Sequence, residues 1–306
     1  MFANAIEHVG NFTRPIRFIS RNYKNTTIAP GTATLFFVND DGYAITCKHV
    51  AELILQAEQI NQHYSSFKND RAALSKDKNQ KSAIRSLEKK YNLNSGITAE
   101  LKCNFVDCVD VISQIDIISH ETADLALLRF KNYHQKLYEG HAVFAKDGNR
   151  VRPGDILCRL GFPFPEFTDF VYDPMTDTID WNPSGNANTP RFPIEGMFTR
   201  HLADLSGNVT GIELSTPGLK GQSGGPLFTS TGLVYGMQSM TNHLHLGFDM
   251  KNEKMIINGN QEVINNQPFL HVGQCVHVDI IKAFLEEQHI KYYVGNTLED
   301  AEEVSG

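Results

Sequence analysis

From Arg14 onward the chain keeps returning to short runs of β-branched, aromatic and aliphatic residues, each cut off by glycine, proline, asparagine or aspartate. These are IRFIS, TATLFFV and GYAITC, then ALLRF, DILCRLGF, GMFTRHL, VTGIEL, GLVYGMQSM and FLHVGQCVHV. Runs so short and so punctuated cannot build a helical bundle, and they do not alternate with helices as a parallel sheet requires. They predict an all-β sandwich or barrel, and a chain of 306 residues is long enough for two barrels.

One stretch breaks the pattern. Val50, Leu53, Ile54, Ala57 and Ile60 recur at spacings of three and four, the mark of a helix with one buried face. Ile84, Leu87 and Tyr91 repeat the spacing, so a helical insertion is expected at about 50–95. Between Lys68 and Lys90 it carries eight basic residues against three acidic ones, on a chain of net charge −7. That reads first as a solvated helical excursion, and second as a docking surface for an acidic regulatory protein. Val278, Ile280, Ile281, Phe284 and Leu285 predict a closing helix at about 278–290, and the acidic end 295–306 is expected to be mobile. The expected organisation is an N-terminal barrel over 1–143 and a C-terminal barrel over 144–294.

Charged residues make up 21% of the chain and acids slightly outnumber bases, which gives no reason to expect a nucleic-acid or anionic-membrane binder. The opening MFANAIEHVGNFTRPIRF is broken by Glu7, His8, Asn11 and Arg14 and does not read as a secretion signal. The five cysteines, Cys47, Cys103, Cys108, Cys158 and Cys275, suggest reduced thiols, and a cytoplasmic location is expected. Cys103 and Cys108 with His243 and His245 could be imagined as a zinc set, but no second cysteine pair supports it, and no metal or cofactor is expected.

LKGQSGGPLF, residues 219–228, surrounds Ser223 with residues that have almost no side chain. The G-x-S-x-G pattern within it is also that of the α/β-hydrolase elbow, where a helix follows the serine. Here Pro226 follows at once and LFTSTGLVYGM is rich in strand formers, so a helix is not expected. An elbow enzyme would also have to draw its acid and histidine from downstream, from Asp249 or Asp279 and from His271, His277 or His289. Two upstream residues are better placed. His49, in GYAITCKHVAEL, ends a β-run and opens the amphipathic helix, while Asp124, in ETADLALLRF, heads an apolar strand. A carboxylate there would be partly buried and would need a donor such as an imidazole N–H.

With the order His49, Asp124, Ser223, the sequence resembles the trypsin-like serine peptidases, most closely bacterial members with an HtrA-like catalytic domain and no PDZ module. The resemblance covers roughly 31–285 and rests on ITCKHVAE, ADLALL and GQSGGPL, followed by GLVYGMQSM, with RLGFPF as a further likeness. It implies a chymotrypsin-like fold of two six-stranded antiparallel β-barrels and a serine endopeptidase. His49, Asp124 and Ser223 would be catalytic and the N–H groups of Gly221 and Ser223 would form the oxyanion hole. The substrate pocket would be walled by Pro217, Gly218, Leu219 and Lys220 on one side and by Ser239, Met240 and Thr241 on the other.

Secreted zymogens of this family carry an aspartate before the serine. Gln222 stands there, so activation by N-terminal trimming is not expected. Neither pocket wall carries an acid, which favours an uncharged residue on the scissile side. His243 and His245 offer a second reading, recognition of an acidic one. A protein or peptide is the expected substrate, in an intracellular role for which a stress or defence setting would fit. The competing function is a catalytically silent peptide-binding module on the same fold.

Overall fold

The computed structural model describes residues 2–74, 80–257, 260–266 and 268–305, which leaves Lys76, Asp77 and Lys78 of the basic insertion outside them. A short helix, α1 (Ala3–Gly10), precedes the first strand and was not legible in the sequence. The first sheet consists of β1 (Thr13–Asn22), β2 (Ala29–Phe37), β3 (Tyr43–Thr46), β4 (Thr98–Phe105), β5 (Gln114–Ser119) and β6 (Ala126–Lys131). Its spatial order is β4-β1-β2-β3-β6-β5 and every pairing is antiparallel, making an open half-barrel.

The second sheet uses β7 (Val143–Ala145), β8 (Ile156–Gly161), β11 (Phe192–Ala203), β12 (Val209–Leu214), β13 (Pro226–Phe228), β14 (Val234–His245) and β17 (Phe269–His277). Its core order is β13-β8-β11-β12-β17-β14, and β13 also pairs with β14, so these six strands close into a barrel. Two separate hairpins complete the strands: β9 (Phe170–Asp173) with β10 (Thr178–Trp181), which packs against Ile19 of β1, and β15 (Met250–Ile257) with β16 (Asn260–Asn266). The chain is thus mostly β, with the chymotrypsin-like two-barrel fold. At the end of the chain β18 (Tyr292–Gly295) pairs in parallel with β7, and β19 (Glu302–Val304), within the acidic segment, pairs with β18.

The insertion forms α2 (Lys48–Ala72) and α3 (Gln80–Lys90). Val50, Ala51, Ala57, Tyr64 and Phe67 are the buried face of α2, while Leu53 is left exposed. No residue of α3 is fully buried; Leu87 and the following Tyr91 lean on an aromatic cluster of Tyr23, Tyr64 and Phe67. The closing helix α4 (Val278–Glu287) starts from His277, whose ring accepts the Asp279 N–H, and buries Val278, Ile281, Phe284 and Leu285. One apolar cluster joins the halves, with Leu35, Phe36 and Leu127 from the first sheet and Phe144, Leu160 and Phe228 from the second. Burial of such side chains contributes on the order of 2 kcal/mol each, so the cleft between the barrels is held by a continuous core.

Candidate active site

The ladder between β3 and β6 pairs Thr46 with Ala126, so the chain leaving β3 runs beside the chain entering β6. His49, in the first turn of α2, therefore meets Asp124. The imidazole Nδ1 lies 2.9 Å from Asp124 Oδ2 and 3.0 Å from Oδ1, and the His49 backbone N–H donates to Oδ1 at 3.0 Å. A carboxylate only accepts, so Nδ1 carries the proton and Nε2 is left as the acceptor. Ser239 Oγ, from β14 of the other barrel, donates to Asp124 Oδ2 at 2.5 Å. Burial pushes the Asp124 carboxyl upward, but these donors outweigh it and hold the pKa far below the ordinary carboxylate range. The bond to Asp124 raises the His49 pKa above 6.5 against the opposing effect of burial.

Ser223 lies in the turn between β12 and β13, and backbone bonds lace that turn to both barrels. The Thr34 N–H donates to Ser223 O at 2.9 Å, the Gly224 N–H to Gln238 O at 2.9 Å, and the Gln238 N–H to Gly225 O at 2.8 Å. Gly224 has φ +87°, and a Cβ there would lie 2.0 Å from the Thr34 carbonyl oxygen. The glycines beside the serine are thus required by close backbone approach as well as by the left-handed turn. Gly224→Ala is expected to destabilise the protein by at least about 2 kcal/mol, read as a lowered denaturation midpoint; a midpoint unchanged from wild type would contradict the close packing.

Gln222 is fully buried and its amide is satisfied: Oε1 accepts the Leu219 N–H and Nε2 donates to Phe192 O, both at 3.0 Å. Thr34, which was not singled out in the sequence, ties this turn to β2. Its hydroxyl donates to Gly221 O at 2.8 Å and accepts the Phe162 N–H at 3.2 Å. Among the described residues the N–H groups of Gly221 and Ser223 have no protein acceptor.

His49, Ser223, Pro217, Gly218, Leu219, Lys220, Ser239, Met240 and Thr241 all line one cleft of about 590 Å³. A second hollow of about 460 Å³ shares His49, Lys220 and Ser223 with it, adds Gly221, and extends along β2 and α2 past Leu53 and Gln56. Ser223 therefore stands between two depressions. Its Oγ is turned to Ser239 O at 3.4 Å, and no hydrogen bond joins it to His49 among the described residues.

The alternatives fare differently. Ser223 is followed by β13 instead of a helix, which removes the elbow reading. Cys103 lies on β4 and Cys108 just after it, whereas His243 and His245 lie on β14 of the other barrel. Cys47 Sγ does lie within 4.8 Å of the ligand atoms of His49 and Asp124, but burial holds the thiol protonated and it donates to Gln238 O at 3.2 Å. Asp249 pairs with His245 at 2.7 Å and is not part of the cleft wall.

An open half-barrel and a closed barrel, an acid–imidazole pair on one and a glycine-bound serine on the other, define the chymotrypsin-fold class. The sequence matches the trypsin-like peptidase domain family over residues 31–237, about two thirds of the chain. The chain belongs to the trypsin-like peptidase family and is by class a trypsin-like serine protease. Two similar solved structures are an HtrA-type protease, AlgW, with a decapeptide and a variant of it with a tripeptide. Each is 12% identical and covered over 94% of this chain, with TM-scores of 0.48 and 0.47. The chain spans 67% and 63% of their lengths. Comparison with curated proteins gives no match.

Proposed function

We propose that the chain is a serine endopeptidase in which Ser223 is the nucleophile, His49 the general base and acid, and Asp124 the residue that orients and stabilises the imidazole. The observation that carries this reading is the fixed tautomer of His49, which leaves Nε2 free to face a cleft shared with Ser223. As Ser223 Oγ attacks the scissile carbonyl carbon, Nε2 takes its proton, and the N–H groups of Gly221 and Ser223 receive the oxyanion. The imidazolium then protonates the leaving amine, the C–N bond breaks, and an acyl ester remains on Ser223. Water attacks that ester as His49 takes its proton, and the proton returns to Ser223 Oγ as the acid product leaves. The two hollows flanking Ser223 suit a chain that continues on both sides of the cut bond.

The natural substrate is proposed to be a specific intracellular protein in the cytoplasm of a bacterium, in a stress or defence setting. The basic α2–α3 insertion is proposed to dock an acidic regulator. Lys81 and Arg85 line a hollow of about 520 Å³ there, although Arg21, Arg71 and Lys24 in the same place are already paired with Asp177, Glu100 and Glu88. Gln222 needs no charged partner, so activity is expected from the full chain without N-terminal trimming.

A silent peptide-binding module is the second reading, and the rotation of Ser223 Oγ toward Ser239 O is the observation in its favour. Incubation with a panel of denatured proteins separates the two. Discrete cleavage, absent when His49 is replaced by alanine, is expected; intact proteins after prolonged incubation would favour the module.

The pH dependence has a definite sign. A base must be neutral to accept a proton, so kcat/KM should fall as pH drops through the His49 pKa, with its midpoint above 6.5. The pair's stabilisation runs the other way for His49: it is complete below 6.5 and is lost as pH rises through the raised folded value. For Asp124, whose folded pKa is depressed, the contribution is present above 3.8 and lost as pH falls toward the folded value. A kcat/KM profile whose acid midpoint lies below 6.5 would contradict the pairing.

A further inference from the structure

Under the cleft wall lies a cation with no counter-ion among the described residues. Arg159, on β8, is fully buried. Its Nη1 donates to Gln238 Oε1 at 2.8 Å, and its Nη2 donates to Thr216 O at 3.1 Å and to Thr216 Oγ1 at 2.6 Å. All three acceptors are neutral, and its Nε has no partner. Isolating a guanidinium in this way is costly unless something else uses its field. Gln238 connects it to the cleft, since the same side chain is part of the cleft lining. Gly273 makes room for the guanidinium: it pairs with Thr241 across the β14–β17 ladder, and a Cβ on it would fall 2.2 Å from Arg159 Nη1.

The charges on the cleft itself have the same sign or can acquire it. Lys220, His243 and His271 line it, and no aspartate or glutamate does so among the described residues. The ladder sets His243 opposite His271, and their Nδ1 atoms are 2.6 Å apart. One ring must donate and the other accept, so the neutral pair keeps one Nε2–H. One added proton gives the pair a positive charge and an Nε2–H on each ring, two donors for an arriving carboxylate. A lysine or arginine side chain would meet the positive charges of Arg159 and Lys220 and find no carboxylate on the lining among the described residues.

We infer that the cleft selects an aspartate or glutamate at the residue whose carbonyl is attacked, with His243 and His271 contacting the side-chain carboxylate and Arg159 acting behind Gln238. The inference rests on the peptidase reading, but the preference of the cleft for an anion is measurable without catalysis. Full-length protein carrying Ser223→Ala is titrated calorimetrically with peptides identical except for a C-terminal Glu, Asp, Gln, Leu or Arg. Glu and Asp peptides are expected to bind about tenfold more tightly than the Gln peptide, because a site built for charge-assisted bonds rejects the analogue lacking them. Adding His243→Asn with His271→Asn, on the exposed rim, should erase that difference; Arg159→Met should reduce it. If these variants do not fold, the Glu-to-Gln ratio in the Ser223→Ala protein decides alone. Equal binding of Glu and Gln peptides, preference for Leu or Arg, or no binding of any peptide overturns the inference. Labelling of wild-type Ser223 by a fluorophosphonate tests the peptidase reading separately. An acidic preference without labelling would sink only that reading, and labelling without an acidic preference would sink only this one.

Discussion

Ser223→Ala is expected to lower kcat by roughly 10⁶-fold while leaving the fold and substrate binding nearly intact. The serine contributes two separable things. Its backbone holds the turn, since Ser223 O accepts the Thr34 N–H at 2.9 Å, and alanine keeps that bond. Its hydroxyl makes a single long contact, 3.4 Å to Ser239 O, whose loss costs less than about 1 kcal/mol. The denaturation midpoint and KM should therefore stay close to wild type while turnover disappears. If the variant kept activity within tenfold of wild type, another residue would have to be the nucleophile.

The second large effect is expected from Asp124→Asn, a drop in kcat of roughly 10⁴-fold. Both carboxylate oxygens are occupied by donors, Oδ1 by the His49 N–H and ring Nδ1, Oδ2 by the same ring nitrogen and Ser239 Oγ. A carboxamide supplies only one acceptor oxygen and must present its NH₂ to a donor. The imidazole then settles with Nδ1 as acceptor and the proton on Nε2, where it cannot take the serine proton. Because Asp124 is also what raises the His49 pKa, the residual activity should show its acid limb shifted toward lower pH than in wild type. A small loss of kcat with an unshifted limb would mean that Asp124 only supports the loop.

The candidate site's parts are legible in the chain because they are local. A histidine between a β-run and an amphipathic helix, an aspartate heading an apolar strand and a serine among glycines each carry their own signal. The seven residues proposed as pocket walls also fall on one cleft. What was not legible depends on register. Arg159 sits within LCRLG, where one charge in an apolar run reads as a side chain facing solvent; the pairing of β8 with β11 and β13 turns it inward instead. His243 and His271 lie far apart in sequence, and only the β14–β17 ladder sets them opposite each other.

Ser239 was expected as part of a pocket wall, and its bond to Asp124 exists only because the barrels meet there. Thr34 is an ordinary strand threonine until the Ser223 turn packs against it. The short strand in the tail was illegible for a different reason: its acidic, small residues lack strand propensity, and the edge of β18 supplies the template.

The central claim is that His49 activates Ser223, and covalent labelling of the native protein with a fluorophosphonate tests it most directly, with the modified residue located by mass spectrometry. The account predicts stoichiometric modification of Ser223 that is abolished by His49→Ala in a protein of unchanged fold. Folded wild-type protein that stays unmodified, or is modified at another residue, or reacts equally well without the imidazole, would contradict it.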